Sequence, residues 1–168
     1  MFQRILVPLD GSERAERALP VAARIAQTTG GSLLLLRVVG IPPEYRTYLY
    51  GAYVAQTPVF VQEIVDAERA RAEEYLAVAA QSEFLMGIPT ETRVEQGAVA
   101  ATVLDTAQEQ KTDLIIMCSH GDTGLKRWML GSVAQKVARH SPVPVLVLHQ
   151  EGIIPFSAYP DPDRKSVV

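Results

Sequence analysis

The segment from Met117 to Gly124, followed by Gly131 and Ser132, has the residue types of a phosphate-binding loop. It comes after a short apolar run, residues 113–118, typical of a strand buried on both faces. The apolar residues of the next stretch, residues 130–138, repeat with helical spacing. A helix that begins at Gly131 and Ser132 offers an anion unpaired N–H groups, the positive end of its dipole and a hydroxyl. The spacing therefore suits a phosphate, although the same glycines also serve as ordinary turn and capping residues.

Asp10 is a second candidate, because it follows another apolar run over residues 4–9. Ser12 is a good N-cap for an amphipathic helix whose apolar stripe covers residues 15–26. If the first and fourth strands are neighbours, Asp10 and the loop after Cys118 meet at the carboxyl edge of the sheet, where open α/β sheets bind ligands. The alternative role for Asp10 is that of a helix-capping carboxylate.

The rest of the chain continues this alternation of strands and helices. Strands are predicted over residues 32–39, 90–95 and 145–148, and helices from about Phe60 to Met86 and over residues 99–107. The total of five strands and four helices predicts a single-domain α/β protein with a parallel sheet and helices on both faces. The charges of the strand over residues 90–95 indicate an exposed sheet edge.

Two segments fall outside the alternation. Residues 40–58 form a long loop rich in tyrosine and proline, which we expect to pack or to be partly disordered rather than to stack on a ligand. Residues 150–168 form a C-terminal extension that we expect to be partly disordered. The domain itself is predicted to span residues 1–149.

The overall composition limits the class of protein. A chain of 168 residues, 48% hydrophobic and 21% charged, is expected to form one globular domain with an ample core. Its formal net charge of -3 disfavours a general nucleic-acid surface, and no stretch has the length and apolarity of a membrane span. With a single cysteine and a first strand that begins without a signal sequence, the expected location is the cytoplasm.

Three separated stretches resemble the universal stress protein family. The pattern Cys118-x2-Gly121-x9-Gly131-Ser132 is similar to the family signature G-x2-G-x9-G-[ST], while residues 5–12 and 141–147 resemble its opening and closing strands. Neither GxxxxGK[ST] nor a GxGxxG after the first strand occurs, which excludes the two better-known phosphate motifs. The resemblance covers about residues 2–149. It implies strand order 3-2-1-4-5, a Rossmann-like nucleotide-binding architecture, a homodimer and, in one branch of the family, an ATP site between the first and fourth strands.

In that branch, the resemblance implies that Asp10 holds the ribose hydroxyls and that Leu9 and Val38 border the adenine. Backbone N–H groups and the Ser132 hydroxyl would hold the phosphates, with Mg²⁺ bound through the phosphate oxygens. The residues predicted to form the nucleotide site are Pro8, Leu9, Asp10, Val38, Met117, Cys118, His120, Gly121, Gly131, Ser132 and Val133.

Cys118 departs from the signature, because it replaces the first glycine. A position that needs positive φ would strain a cysteine, whereas one that needs only close approach tolerates a small side chain. The family branch that lacks the signature does not hold ATP, but three retained positions of four favour binding. We interpret Cys118 as an apolar filler rather than a redox residue, and His120 as a structural or phosphate-contacting residue rather than a general acid or base.

The fifth strand is expected to form a homodimer. It is an edge in the family's strand order, yet it is continuously apolar, and exposed apolar edges are usually covered. The interface is predicted at Val143, Val145, Leu146 and Val147. The leading hypothesis is an ATP-binding, dimeric stress-response sensor or regulator without catalytic residues. The alternatives are an interaction module that binds no nucleotide and a slow ATPase or phosphotransferase.

Overall fold

The computed structural model describes residues 2–40, 58–119 and 130–149, with only the backbone described for residues 58–61. Residues 41–57 of the predicted loop, the predicted site residues His120 and Gly121, and the predicted extension over residues 150–168 lie outside the described residues.

One sheet of five parallel strands forms the centre of the molecule. The strands are β1 (Arg4–Pro8), β2 (Ser32–Val39), β3 (Thr90–Gln96), β4 (Leu114–Cys118) and β5 (Val145–Leu148). They lie in the order β3-β2-β1-β4-β5, and all four pairings are parallel. The three central strands are almost wholly aliphatic because helices cover both of their faces. The predicted α/β class, the strand order and the edge positions of the third and fifth strands are therefore confirmed.

In the described part of the chain, five helices pack on the two faces of the sheet: α1 (Glu13–Glu16), α2 (Ala18–Thr29), α3 (Pro58–Ala80), α4 (Val99–Glu109) and α5 (Ser132–His140). Helices α1, α2 and α3 share one apolar cluster with Ile5, Val7 and Leu35, whereas α4 and α5 share a second cluster with Leu6 and Leu34. This alternation follows from the two-residue period of a strand. Among the described helices, none combines the length and apolarity needed to cross a membrane.

The predicted first helix is interrupted at Arg17 and forms the two helices α1 and α2. Pro20 gives the physical reason, since it has no N–H to donate to the Glu16 carbonyl and its ring crowds that carbonyl. The predicted start and end of this region are as observed. Ser12 Oγ accepts a hydrogen bond of 3.2 Å from the Ala15 N–H, and Gly30 ends α2 in the left-handed conformation.

The long helix α3 ends at Ala80, six residues before its predicted end. The N–H groups of Gln81 and Ser82 donate to carbonyls three residues earlier, and Glu83–Leu85 form a separate 3-10 turn. This tighter winding turns Leu85, which is 3% exposed, onto the core cluster of α2. The prediction of a helix here is therefore correct, but its predicted end is too far along the chain.

Leu34 tests the second core cluster, because its side chain is fully buried on the face of β2 that packs against α4 and α5. We expect Leu34→Ala to lower the free energy of unfolding by about 3 kcal/mol, since it removes buried methyl groups and leaves a cavity. Urea denaturation followed by circular dichroism measures the change. Val78→Ala is the control, because Val78 is 68% exposed on α3, and its effect should stay below about 0.5 kcal/mol. Equal stability of the two variants would contradict the assigned core.

Candidate functional site

A cleft of about 260 Å³ lies at the carboxyl edge of the sheet, where β1 and β4 are neighbours. The chain after β1 turns to the face of α1 and α2, whereas the chain after β4 turns to the face of α5. A crevice forms where the winding reverses in this way, and open α/β sheets bind ligands there. The cleft is lined by Pro8, Leu9, Asp10, Ala15, Leu36, Val38, Val99, Val103, Met117, Cys118, Ser119, Gly131, Ser132, Val133 and Ala134.

All of the predicted site residues that the structure describes line this one cleft. His120 and Gly121 lie outside the described residues, and nucleotide binding by the set stays a prediction. Sequence reasoning missed Ala15, Leu36, Val99, Val103, Ser119 and Ala134 as lining residues. Strand alternation from Val38 would have indicated Leu36, and the helical spacing of Val99 and Val103 would have indicated a shared face.

One wall of the cleft is apolar. It combines Val38 from β2, Met117 from β4 and Val99 from the first turn of α4. Neighbouring aliphatic and thioether groups favour an uncharged ring over an ion, because an ion would lose its hydration water without gaining a charged or hydrogen-bonding partner.

The N-terminus of α5 also lines the cleft. Gly131 is its N-cap and has no side chain to bond the first-turn N–H groups, which therefore remain available at the positive end of the helix dipole. The Gly131 N–H itself donates to the Ser119 carbonyl at 2.7 Å, which ties the start of α5 to the end of β4. Gly131 has φ -58° and ψ 153°, a conformation open to any residue, so glycine matters here for close approach. This end of the cleft has the geometry of an anion site.

Asp10 lies at the cleft and also takes part in capping α1. Its Oδ1 accepts hydrogen bonds from the Ser12 N–H at 3.0 Å and from the Ser12 hydroxyl at 2.5 Å. Ser12 Oγ in turn accepts from the Ala15 N–H, so Ser12 is the N-cap of α1 and Asp10 supports the cap only indirectly. The carboxylate is nevertheless exposed and lines the cleft. The capping bonds thus fix its position without burying it.

Cys118 ends β4 without backbone strain. Among the described non-glycine residues only Lys111 has a positive φ, so the position occupied by Cys118 does not require a glycine conformation. The thiol points towards α1 and donates to the Ala15 carbonyl at 3.9 Å. Burial raises the pKa of the Cys118 thiol, and the nearby Arg17 opposes that rise only in part. A neutral, partly buried thiol agrees with the interpretation of Cys118 as an apolar filler.

The fold and the cleft define a single-domain α/β protein with a crevice at its topological switch point, and comparison identifies the family. The sequence model of the Universal stress protein family matches residues 1–149. The chain is 32% identical over 148 residues to universal stress protein YxiE of Bacillus subtilis, which covers 88% of this chain and 99% of that protein. It is 34% identical over 149 residues to the Thermus aquaticus universal stress protein in the QAH/OAS sulfhydrylase 3′ region. This match covers 88% of this chain and 99% of that protein. The chain belongs to the universal stress protein family.

Solved structures share its architecture. The hypothetical protein MJ0577 superposes with a TM-score of 0.76 at 27% identity, over 91% of this chain and 99% of that one. A universal stress protein in complex with cAMP (TM-score 0.54, 24% identity) and one from Archaeoglobus fulgidus in complex with dAMP (TM-score 0.57, 19% identity) have the same fold. They cover 88% and 87% of this chain and 97% of their own chains. At such identities the likeness shows the fold alone, and the two nucleotides are ligands of those proteins.

The raised pKa of Cys118 predicts slow alkylation. At pH 7.5 the thiol should react with iodoacetamide markedly more slowly than the cysteine of an unstructured peptide, because the thiolate is the reacting species. Above the ordinary thiol pKa the unfolded chain ionises first, so the free energy of unfolding should fall as the pH rises towards the folded-state pKa. Mass spectrometry from pH 6 to 10 measures the rate. A fast rate that does not change between pH 6 and 8 would instead indicate a stabilised thiolate.

Proposed function

We propose that this universal stress protein binds ATP with Mg²⁺ in the cleft and acts as a nucleotide-dependent stress-response sensor or regulator. The supporting observation is that three complementary features meet in one crevice: an apolar wall, an exposed carboxylate and an uncapped helix N-terminus. A nucleotide has three matching parts, namely a flat base, a ribose with two hydroxyls and an anionic phosphate chain.

In the proposed complex, the base packs against Val38 and Met117, and the ribose hydroxyls donate to the Asp10 carboxylate. The phosphates accept hydrogen bonds from the first-turn N–H groups of α5 and from the Ser132 hydroxyl. In the described part of the chain, no group of three or more His, Cys, Asp or Glu side chains is arranged to hold a metal ion. Magnesium would therefore bind through the phosphate oxygens, which are hard ligands suited to it.

Cys118 is the observation that favours a second candidate, an interaction module without nucleotide. Its side chain occupies space where the signature has a glycine, and it lines the cleft. The first candidate is better supported, because the thiol points towards the Ala15 carbonyl and the backbone at Cys118 needs no positive φ. The proposal assigns binding and no catalytic residue, so any hydrolysis of ATP should be slow. It also places the protein in the cytoplasm, which suits a chain with one cysteine.

Gly131→Val tests the phosphate end of the site. Valine can adopt the backbone angles of Gly131, so the variant should fold, but its side chain would occupy the cleft beside the N–H groups of α5. We expect ATP affinity to fall by about tenfold or more. Isothermal titration with ATP and Mg²⁺ measures the affinity, after the purified wild-type protein has been denatured and any released nucleotide identified by mass.

The matched control is Ala98→Val, which introduces the same side chain at the N-cap of α4, outside the cleft lining. It should bind ATP as the wild type does. A wild-type chain that releases no nucleotide and binds none in the titration would exclude the proposed function and favour the interaction module.

We further propose a homodimer through β5. This strand is one edge of the sheet, and its four residues are only partly buried. The carbonyls of Pro144 and Leu148 accept hydrogen bonds of 3.0 and 2.8 Å from the β4 side. The backbone groups of successive residues point to opposite sides of a strand. Since those of Pro144 and Leu148 point towards β4, the N–H and C=O groups of Val145 and Val147 point away from the sheet. An apolar edge that no other described strand pairs with can pair with its own copy about a two-fold axis.

Val147→Pro tests the edge pairing, because it removes an outward N–H while the bonds to β4 remain. We expect light scattering at micromolar concentration to give the mass of a dimer for the wild type and of a monomer for the variant. Thr92→Pro is the control at the opposite edge, where the carbonyl of Pro89 and the N–H of Gly97 bond to β2 and the groups of Thr92 point outward. A monomeric wild type, or a dimeric Val147→Pro, would rule out this interface.

A further inference from the structure

Arg37 is the single charged residue of β2, near its carboxyl end. Its neighbours Leu36 and Val38 both line the cleft, whereas Arg37 does not. The Arg37 side chain lies on the α1 side of the sheet, where it reaches residues 9–11, the loop that carries Asp10. It therefore approaches the Asp10 loop from outside the cleft.

The Arg37 guanidinium contacts this loop on both sides of Asp10. Nη1 donates to the Leu9 carbonyl across 3.4 Å, while the Leu9 N–H donates to the Leu36 carbonyl at 2.8 Å. A Cβ built on Gly11 would lie 3.6 Å from Nη1 and 3.7 Å from both Cζ and Nη2, so the plane of the guanidinium faces Gly11. Gly11 has φ +83°, a conformation that L side chains disfavour. Arg37 and a glycine-specific backbone thus shape the loop together.

Arg37, Glu16 and Asp10 all lie within electrostatic reach of the Tyr75 hydroxyl. Tyr75 of α3 is partly buried, and its burial, followed by the nearby Glu16 carboxylate, raises the pKa of the phenol, whereas the charge of Arg37 lowers it. Within the described residues the Tyr75 hydroxyl makes no hydrogen bond of good geometry, so its link to Glu16 is electrostatic. Asp10 also acts on the same hydroxyl. The charge of Arg37 therefore acts at the same hydroxyl as the charges of Glu16 and Asp10.

We propose that Arg37 is a positioning residue for Asp10 and thereby sets the preference of the site for a ribose that carries hydroxyls. This inference rests on the proposed function, since Asp10 is the group that would accept hydrogen bonds from the ribose. By holding the Leu9 carbonyl and packing on Gly11, Arg37 fixes the backbone on either side of the carboxylate. Because Arg37 does not line the cleft, it acts through the loop and makes no contact with the nucleotide.

The test compares ATP with 2′,3′-dideoxy-ATP, each with Mg²⁺, by isothermal titration of the full chain. The wild type should prefer ATP, because dideoxy-ATP cannot donate to Asp10. Arg37→Met keeps the bulk of the side chain but loses the donor, so ATP affinity should fall by about tenfold. Affinity for dideoxy-ATP should stay within about twofold of the wild type, as expected when only the ribose contact is lost.

Arg37→Lys distinguishes a donor from a packing role. Lysine keeps a positive charge and can donate to the Leu9 carbonyl, so it should recover ATP binding to within about threefold of the wild type. Arg4→Met is the matched control, since Arg4 is also a partly buried strand arginine and pairs with Glu91 at 2.7 Å. It lies at the start of β1, whereas Asp10 follows the end of that strand. It should leave the ratio of the two affinities unchanged.

The outcomes separate the two proposals. A wild type that binds neither nucleotide overturns the proposed function and this inference together. A wild type that prefers ATP, with an unchanged ratio in Arg37→Met, overturns this inference alone, as does an equal loss of both nucleotides. If Arg37→Met does not fold, as judged by circular dichroism, Arg37→Leu replaces it, because leucine also lacks a donor, and the same loss of preference is expected.

Discussion

Strands β1 and β4 pair at the centre of the sheet, with Ile5 opposite Leu114 and Leu6 opposite Ile115, although most of the domain separates them in sequence. A parallel pair requires each strand to leave at the same edge and return by a crossover. Since the chain after β1 turns to one face and α5, which follows β4, packs on the other, a crevice remains between the two strand ends in the described part of the chain. The cleft, the exposure of Asp10 and the position of the α5 N-terminus all follow from this reversal of winding.

The sequence predicted the elements of this arrangement well, because their signals are local. Four consecutive leucines in β2 are typical of a strand covered on both faces, and Ser12 and Gly30 are strong helix-boundary residues. The errors have equally local reasons. Pro20 divides the first helix because it has no N–H to donate to the Glu16 carbonyl. The 3-10 turn before Met86 forms where Leu85 packs into the core, and helical periodicity in the sequence does not indicate that contact.

The candidate site was predictable in part. The signature glycine and serine of α5, Asp10 and the ends of β1 and β4 were found from motif and family resemblance, and the structure brings those that it describes into one cleft. Leu36 and Val103 were within reach of strand and helix periodicity, whereas Ala15 and Ala134 were missed because their roles come from tertiary packing. Arg37 is a further example: it follows an apolar run and carries no motif, and its relation to Asp10 exists only because β2 lies beside β1.

The lining of the cleft comes from two separate parts of the chain, residues 8–38 and residues 99–134. Neither part contains the crevice alone, so a ligand that fills it recognises the folded domain and not the unfolded chain. Binding would therefore add to global stability by mass action, by about 2.7 kcal/mol at a hundredfold excess of ligand over its dissociation constant. Under the proposed nucleotide binding, the lifetime of the protein against proteolysis would follow the nucleotide concentration, and the abundance of the protein would report that concentration.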